Sequence, residues 1–160
     1  MITTWFVEGT GIEKGDLKMV TYYAVLTAEA GVYSVVFPDL PYGATQGETV
    51  DEALSMAEDF LASALEIVMR KGLPLPAPSR PRGKMVRPIT LPVLPSAKVE
   101  LYRAFREAGL QKAEFARRLG ISKTNIDRLF DPHHASRMDQ IEAAFRVLGK
   151  RLTIGLEQAA

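Results

Sequence analysis

Eight polar and basic side chains in the C-terminal half of the chain have the types and spacing of DNA contacts. They lie on two short predicted helices that a tight turn separates. In the major groove Asn pairs with adenine and Arg with guanine, while other cations hold phosphates and set the register. We therefore expect Asn125 and Arg128 to read bases. We expect Lys112, Arg117 and Arg118 to hold phosphates. The full candidate set is Lys112, Arg117, Arg118, Ser122, Lys123, Thr124, Asn125 and Arg128.

The segment around these residues predicts a helix-turn-helix. Ala116 is small enough for two helices to cross closely, Gly120 permits the turn, and Ser122 can cap the second helix. A plain helical hairpin with a solvated basic face is the alternative, but the spacing, the cap and the charge together favour DNA binding. A module of this size gives too few contacts alone, so we expect a homodimer or tetramer.

Six carboxylates in the N-terminal half form a second candidate site. An acidic surface favours a basic partner, because complementary charge steers the encounter and rejects acidic surfaces. These candidate partner-binding residues are Asp39, Glu48, Asp51, Glu52, Glu58 and Asp59.

Catalysis by these carboxylates is disfavoured, although a nuclease remains a third and weaker hypothesis. Two-metal hydrolysis needs carboxylates that converge on one point, whereas Asp39 lies in a predicted loop and most of the others are spread along one predicted helix. Neighbouring side chains diverge, so His133 and His134 predict no metal site. We expect no enzymatic activity, no metal and no cofactor.

The charges of the whole chain divide in the same way. Residues 1–80 hold five Lys or Arg against eleven Asp or Glu, and residues 81–160 hold fifteen against eight. The balances of −6 and +7 are hidden in the net charge of +1. Each half therefore suggests a partner of its own: a polyanion for the basic half and a basic protein for the acidic half.

The elements that position the acidic residues read as a small sheet and one long helix. Strands are predicted at Val20–Ala28 and Tyr33–Phe37, with a short third strand at Ala44–Gly47. A capping box at Thr49–Glu52 then begins a helix with apolar residues at helical spacing, which Gly72 ends.

A proline-rich segment separates this part from the basic one. Seven of the ten prolines lie within Pro74–Pro95, which predicts a stiff connector, and Met85–Val93 has the composition of an edge strand. Helices are then predicted at Ala97–Ala108, Lys112–Leu119, Ser122–Phe130 and Ser136–Leu148, before a short closing strand at Arg151–Leu156.

The predicted class is therefore α+β, in four segments. Residues 1–18 are an extension of uncertain status, since Met19 is an alternative start. Residues 19–73 form the partner-binding domain, 74–96 the linker and 97–160 the DNA-binding domain.

The sequence has no signal-peptide pattern, no apolar run that could cross a membrane and no cysteine, which predicts a cytoplasmic protein.

The acidic half resembles the HicB antitoxin family. That family's pattern is present in Phe37-Pro38-Asp39-Leu40-Pro41, in Thr45 and Gly47, and in the acidic start of the following helix. His134–Ala144 and Leu148–Leu152 also look like HicB proteins that carry a helix-turn-helix, so the resemblance covers about residues 20–155. Family members often have Gly-Cys where this chain has Tyr42-Gly43.

The turn region is similar to the Xre/Cro-type helix-turn-helix of bacterial and phage repressors. Leu110–Ser122 follows that pattern, with Lys112 where the family often has Gln. Together the two resemblances imply a partial ribonuclease-H-like domain of about three antiparallel strands and one helix, which blocks a small basic mRNA-cleaving HicA toxin, and an all-α domain that represses the operon. The alternative is a stand-alone dimeric regulator whose N-terminal domain senses a ligand or only dimerises.

Overall fold

The computed structural model describes residues 19–41 and 43–155. The extension at residues 1–18, Tyr42 and the last residue of the predicted closing strand lie outside the described residues. The elements in chain order are β1 Thr21–Glu29, β2 Val32–Val36, β3 Thr45–Gly47, α1 Val50–Arg70, β4 Val86–Thr90, α2 Val93–Glu107, α3 Lys112–Leu119, α4 Lys123–Phe130 and α5 Met138–Val147. The predicted α+β class is confirmed.

The four strands form one antiparallel sheet in the order β3-β2-β1-β4. Along β1, Tyr22, Ala24 and Leu26 alternate with less buried neighbours, as expected of a strand with one face in a core. The sheet packs against α1. It has four strands where the sequence predicted three and one optional edge strand, so the edge-strand prediction is confirmed.

Proline is tolerated in β4 because of its register. Pro88 faces Tyr23, and the hydrogen bonds on either side run from Leu26 N to Met85 O and from Leu91 N to Val20 O, both 2.9 Å. These bonds place the odd-numbered residues of β4 in the ladder with β1. The nitrogen of Pro88 therefore points away from β1, and no bond within the sheet is lost.

Helix α1 begins where the capping box was predicted, with one difference. The Thr49 hydroxyl accepts from Glu52 N at 3.1 Å, but the Glu52 carboxylate accepts from Glu48 N at 2.9 Å rather than from Thr49. A Cβ at Gly47 would lie 2.5 Å from Ala53 N, so the backbone of β3 reaches the first turn of α1 only because residue 47 is glycine.

The helical part follows the prediction closely from α3 onward. Helix α3 has the predicted bounds, and α4 begins at Lys123 with Ser122 as its N-cap. Helix α2 begins at Val93 rather than at the predicted Ala97. This earlier start is possible because Pro95 lies in the first turn of the helix, where no backbone N–H is needed. Helix α5 begins two residues later than predicted, and of the closing strand only a bridge at Thr153 is seen among the described residues.

The proline-rich segment is held by side chains from both of its neighbours. The hydroxyl of Tyr22 in β1 donates to Pro76 O at 2.5 Å, and that of Tyr102 in α2 donates to Leu73 O at 2.8 Å. Buried residues of the sheet, α1 and the later helices form one continuous apolar cluster. The four-segment division of the chain stays a prediction. No helix within residues 19–41 and 43–155 is long and apolar enough to span a membrane.

Candidate functional site

A left-handed residue makes the turn between α3 and α4. Gly120 has φ 68° and ends α3, where its N–H donates to Arg117 O at 3.2 Å and the following Ile121 N donates to Ala116 O at 3.1 Å. The Ser122 hydroxyl then accepts from Asn125 N at 3.2 Å and begins α4. The predicted turn glycine and N-cap are both confirmed.

Aromatic rings fix the inner face of α4. Phe130 packs against Tyr102 and Phe105 of α2, with ring centroids 5.3 and 5.2 Å apart, and stacks on Phe115 of α3 at 6.3 Å. Ile126 and Leu129 are also buried. Because this face is fixed to the core, the opposite face of α4 is turned to solvent.

The exposed face of α4 carries the predicted base-reading residues. Lys123, Thr124, Asn125 and Arg128 are all exposed. Arg128 Nη1 lies 3.4 Å from Asn125 Oδ1, so the structure brings these two side chains together. A groove of about 370 Å³ opens beside them, between α4 and the start of α5.

The three predicted phosphate-holding cations are paired with acids of the same region. Lys112 Nζ lies 2.6 Å from Asp127 Oδ1, and Arg117 and Arg118 each lie 2.7 Å from Glu114 Oε1. Hydrogen bonds from Arg117 and then Arg118 lower the pKa of Glu114 to about 2. The i, i+3 and i, i+4 spacing of Glu114 and the arginines is a signal that the sequence carried.

A buried lysine behind α4 was missed by the sequence reasoning. Lys98 of α2 is fully buried, and its ammonium donates to Arg128 O, Asp131 O and Ser136 Oγ, each at 2.8 Å. Burial lowers its pKa to about 8, which the Asp131 carboxylate partly opposes. The sequence did carry a signal of its burial, because Lys98 has the helical spacing that places it on the same face as the apolar residues of that predicted helix.

The six predicted acidic residues fall into two groups. Asp51, Glu58 and Asp59 are exposed on α1, Glu48 is exposed just before it, and none of these four carboxylates has a hydrogen bond or ion pair among the described residues. The carboxylates of the other two accept hydrogen bonds from within the chain. Glu52 accepts from Glu48 N, and the Asp39 carboxylate accepts from Ser79 N at 2.8 Å and from Ser79 Oγ at 2.6 Å.

The solvent face of α1 also carries an apolar residue. Met56 is 46% exposed, and at about 100° of rotation per residue it lies beside Asp59, at one margin of the solvent face of α1, while Glu58 lies at the other margin. One turn further along the helix, Phe60 is half-buried and stacks on Phe37, which follows β2, with centroids 6.0 Å apart. The acidic face therefore has an apolar border, which the count of acidic residues alone did not reveal.

Helix α1 is joined to the loop that follows α4 by one side-chain hydrogen bond. Ser63 of α1 lies 3.0 Å from His133 Nε2, in the loop that follows α4. The backbone N–H of His133 donates in turn to Asp131 Oδ1 at 2.8 Å. Within residues 19–41 and 43–155 no group of three or more His, Cys, Asp or Glu side chains could hold a metal ion.

Comparison with known proteins places this arrangement among antitoxins. Residues 21–100 match a family described as the HicB_like antitoxin of bacterial toxin-antitoxin systems. "Antitoxin HicB" of Escherichia coli K12 is 39% identical over 136 residues, which cover 83% of this chain and 96% of that protein. "Antitoxin HicB 1" of Photorhabdus laumondii is 33% identical over 158 residues, which cover 98% and 100%.

Among solved structures, a chain of a toxin-antitoxin complex from Streptococcus pneumoniae is similar. It is 20% identical, covers 68% of this chain and 93% of its own length, and gives a TM-score of 0.41.

Proposed function

Since the chain belongs to the HicB antitoxin family, we propose that it neutralises a small basic HicA-like toxin that cleaves mRNA, and that it represses its own operon. The family membership supports an antitoxin without enzymatic activity. The finer statement, that one surface holds the toxin and another holds operator DNA, is a proposal that rests on the division of charge. Both partners would place the protein in the cytoplasm.

The exposed face of α1 supports the toxin-binding half of the proposal. Asp51, Glu58 and Asp59 present unpaired carboxylates, and the exposed Met56 borders them on the side of Asp59. A basic RNA-binding protein would be steered to such a face by charge and held there by apolar contact. This unpaired acidic face is the single observation that carries the proposal.

The test is co-expression with the protein encoded by the neighbouring reading frame. We expect a short basic protein that arrests growth when expressed alone, co-purifies with this chain and no longer arrests growth when both are made. Failure to co-purify, together with unrelieved growth arrest, would contradict the antitoxin proposal.

The exposed face of α4 supports the DNA-binding half. Asn125 and Arg128 have the side chains that pair with adenine and guanine, and α4 is capped and anchored so that they face outward. We propose that a dimer or tetramer places two such helices on successive major grooves. Fluorescence anisotropy with the promoter fragment upstream of the gene, against a shuffled fragment of equal composition, tests this.

The alternative is a stand-alone regulator that uses the same DNA surface. It would bind the promoter fragment but not the neighbouring gene product. Light scattering of the purified protein measures its oligomeric state in either case.

A further inference from the structure

We infer that Lys98 is a positioning residue for helix α4, and this inference rests on the proposed DNA-binding function. Lys98 lies on α2 and touches no surface that DNA could reach, because it is fully buried. It would act on DNA only through the helix that it holds.

The geometry supplies one acceptor for every N–H of the ammonium. Arg128 O, Asp131 O and Ser136 Oγ each lie 2.8 Å from Nζ. An ammonium is a compact charge with three donors, so this set of acceptors uses its hydrogen-bonding capacity in full.

Two of those acceptors belong to the end of α4. Arg128 lies in its last turn, and Asp131 is its C-cap residue. The last carbonyls of a helix have no partner within it, and they carry the negative end of the helix dipole. A cation at this point satisfies the carbonyls and fixes where α4 ends relative to α2.

The third acceptor ties α4 to the segment that precedes α5. Ser136 Oγ lies 3.4 Å from Arg128 O and 3.2 Å from His134 Nδ1, in addition to its bond with Lys98. One side chain of α2 therefore holds the end of α4 and the entry to α5 in a single cluster.

A charged residue at this buried site indicates a role in placing α4 rather than a role in stabilising the fold. A fully buried charge costs desolvation, and an apolar residue of similar volume often stabilises a fold as well or better. Arg128, whose carbonyl Lys98 holds, is also one of the two proposed base-reading residues. Bidentate contact with a base requires its helix to be placed accurately.

The experiment compares Lys98→Met with Tyr22→Phe in the full-length protein. Met has a similar volume but no donors. Tyr22→Phe is the matched control, because it removes a part-buried hydrogen bond from β1 to Pro76 O, away from α4. Affinities for the promoter fragment and for the shuffled fragment are measured by anisotropy at a temperature where circular dichroism shows each variant folded.

Lys98→Met is expected to weaken promoter binding about tenfold and shuffled-DNA binding less than about twofold, because a misplaced α4 loses base contacts but keeps its charges. Tyr22→Phe is expected to lower the melting temperature without changing the ratio of the two affinities. An unchanged ratio in folded Lys98→Met would overturn the inference, because a merely stabilising residue gives that result.

A second variant covers the case in which Lys98→Met does not fold. Ser136→Ala removes one of the three acceptors, and it is expected to lower the affinity ratio by about threefold; an unchanged ratio there would overturn the inference as well. If the wild-type protein shows no preference for the promoter fragment, the proposed function fails instead. Hydrogen exchange then decides the structural claim: Lys98→Met should speed exchange of the last-turn amides of α4, and equal rates would reject it.

Discussion

The acidic face of α1 and the basic face of α3 and α4 present their charges in opposite ways. On α1 the exposed Asp51, Glu58 and Asp59 have no ion pair among the described residues. On α3 each cation forms an ion pair within α3 and α4: Lys112 with Asp127, and the two arginines with Glu114. The negative charge of the acidic face is not offset by nearby cations, whereas the positive charge of the basic face is partly neutralised by neighbouring acids.

This difference suggests how each surface would select its partner. An unpaired acidic face would attract any basic protein strongly and would depend on apolar contact at Met56 for selection. A partly neutralised basic face would attract DNA weakly in general, because phosphates would have to displace Glu114 and Asp127. Under the proposed function, sequence preference would then depend more on Asn125 and Arg128.

The largest effect is expected from reversing the acidic face. The triple variant Asp51→Lys, Glu58→Lys and Asp59→Lys should weaken binding of the neighbouring basic protein by roughly a hundredfold or more, because like charges then oppose the encounter. The measurement is surface plasmon resonance at two salt concentrations. The control is Glu142→Lys on α5; an equal effect per reversed charge would mean that net charge rather than this face governs binding.

The next effect concerns base reading on α4. Arg128→Ala is expected to cost roughly 1–3 kcal/mol on the promoter fragment and much less on shuffled DNA, because a bidentate contact to guanine carries sequence preference. Lys112→Ala should weaken both fragments alike, as loss of a phosphate contact does. Anisotropy titrations of both variants on both fragments make the comparison, and equal losses for Arg128→Ala would remove it from base reading.

A third prediction follows from the buried cation in the basic half. Lys98 has a pKa of about 8 in the folded protein against 10.5 as its ordinary value. Between these values the unfolded chain holds the proton that the folded protein has released, so the free energy of unfolding rises as pH rises. From pH 7.5 to 9.5 the rise is about 2 kcal/mol relative to Lys98→Met.

Urea denaturation of both proteins at the two pH values measures that difference. The range stops below the ionisation of Tyr22 and Tyr102, whose pKa values burial raises. A wild-type curve parallel to that of Lys98→Met would show that the buried ammonium contributes nothing to the pH dependence of stability.

The smallest effect is expected at the acid that pairs the α3 arginines. Glu114→Gln frees Arg117 and Arg118, so affinity for any DNA should rise about threefold while the ratio of promoter to shuffled DNA falls. Since the pKa of Glu114 is about 2, pH changes in the physiological range cannot substitute for this variant. The slope of log affinity against log salt is the measurement, and an unchanged slope would mean that the pairs do not compete with DNA.

Local signals predicted much of this molecule. The Thr49 cap, the Gly120 turn and the Ser122 cap each depend on residues within a few positions, and all three are as expected. Helix α3 has its predicted bounds for the same reason. The start of α2 was missed because prolines that read as a connector fit the first turn of a helix as well.

Contacts between distant segments could not be predicted. The pairing of Asp39 with Ser79, forty positions away, was not predicted: Ser79 donates to both of the Asp39 carboxylate oxygens. Lys98 reaches carbonyls thirty and more positions away, and no single-sequence signal gives that distance. The pairing of Lys112 with Asp127 likewise needs the turn that brings the two helices together.

Pro88 has a consequence for how copies of this chain can associate. It lies in the middle of β4, with its nitrogen turned toward the outer edge of the sheet. An incoming strand would find a gap in the row of donors there, and strand-by-strand growth into fibres is discouraged. Copies that meet at the β4 edge would therefore join through side-chain surfaces rather than by adding a strand across Pro88.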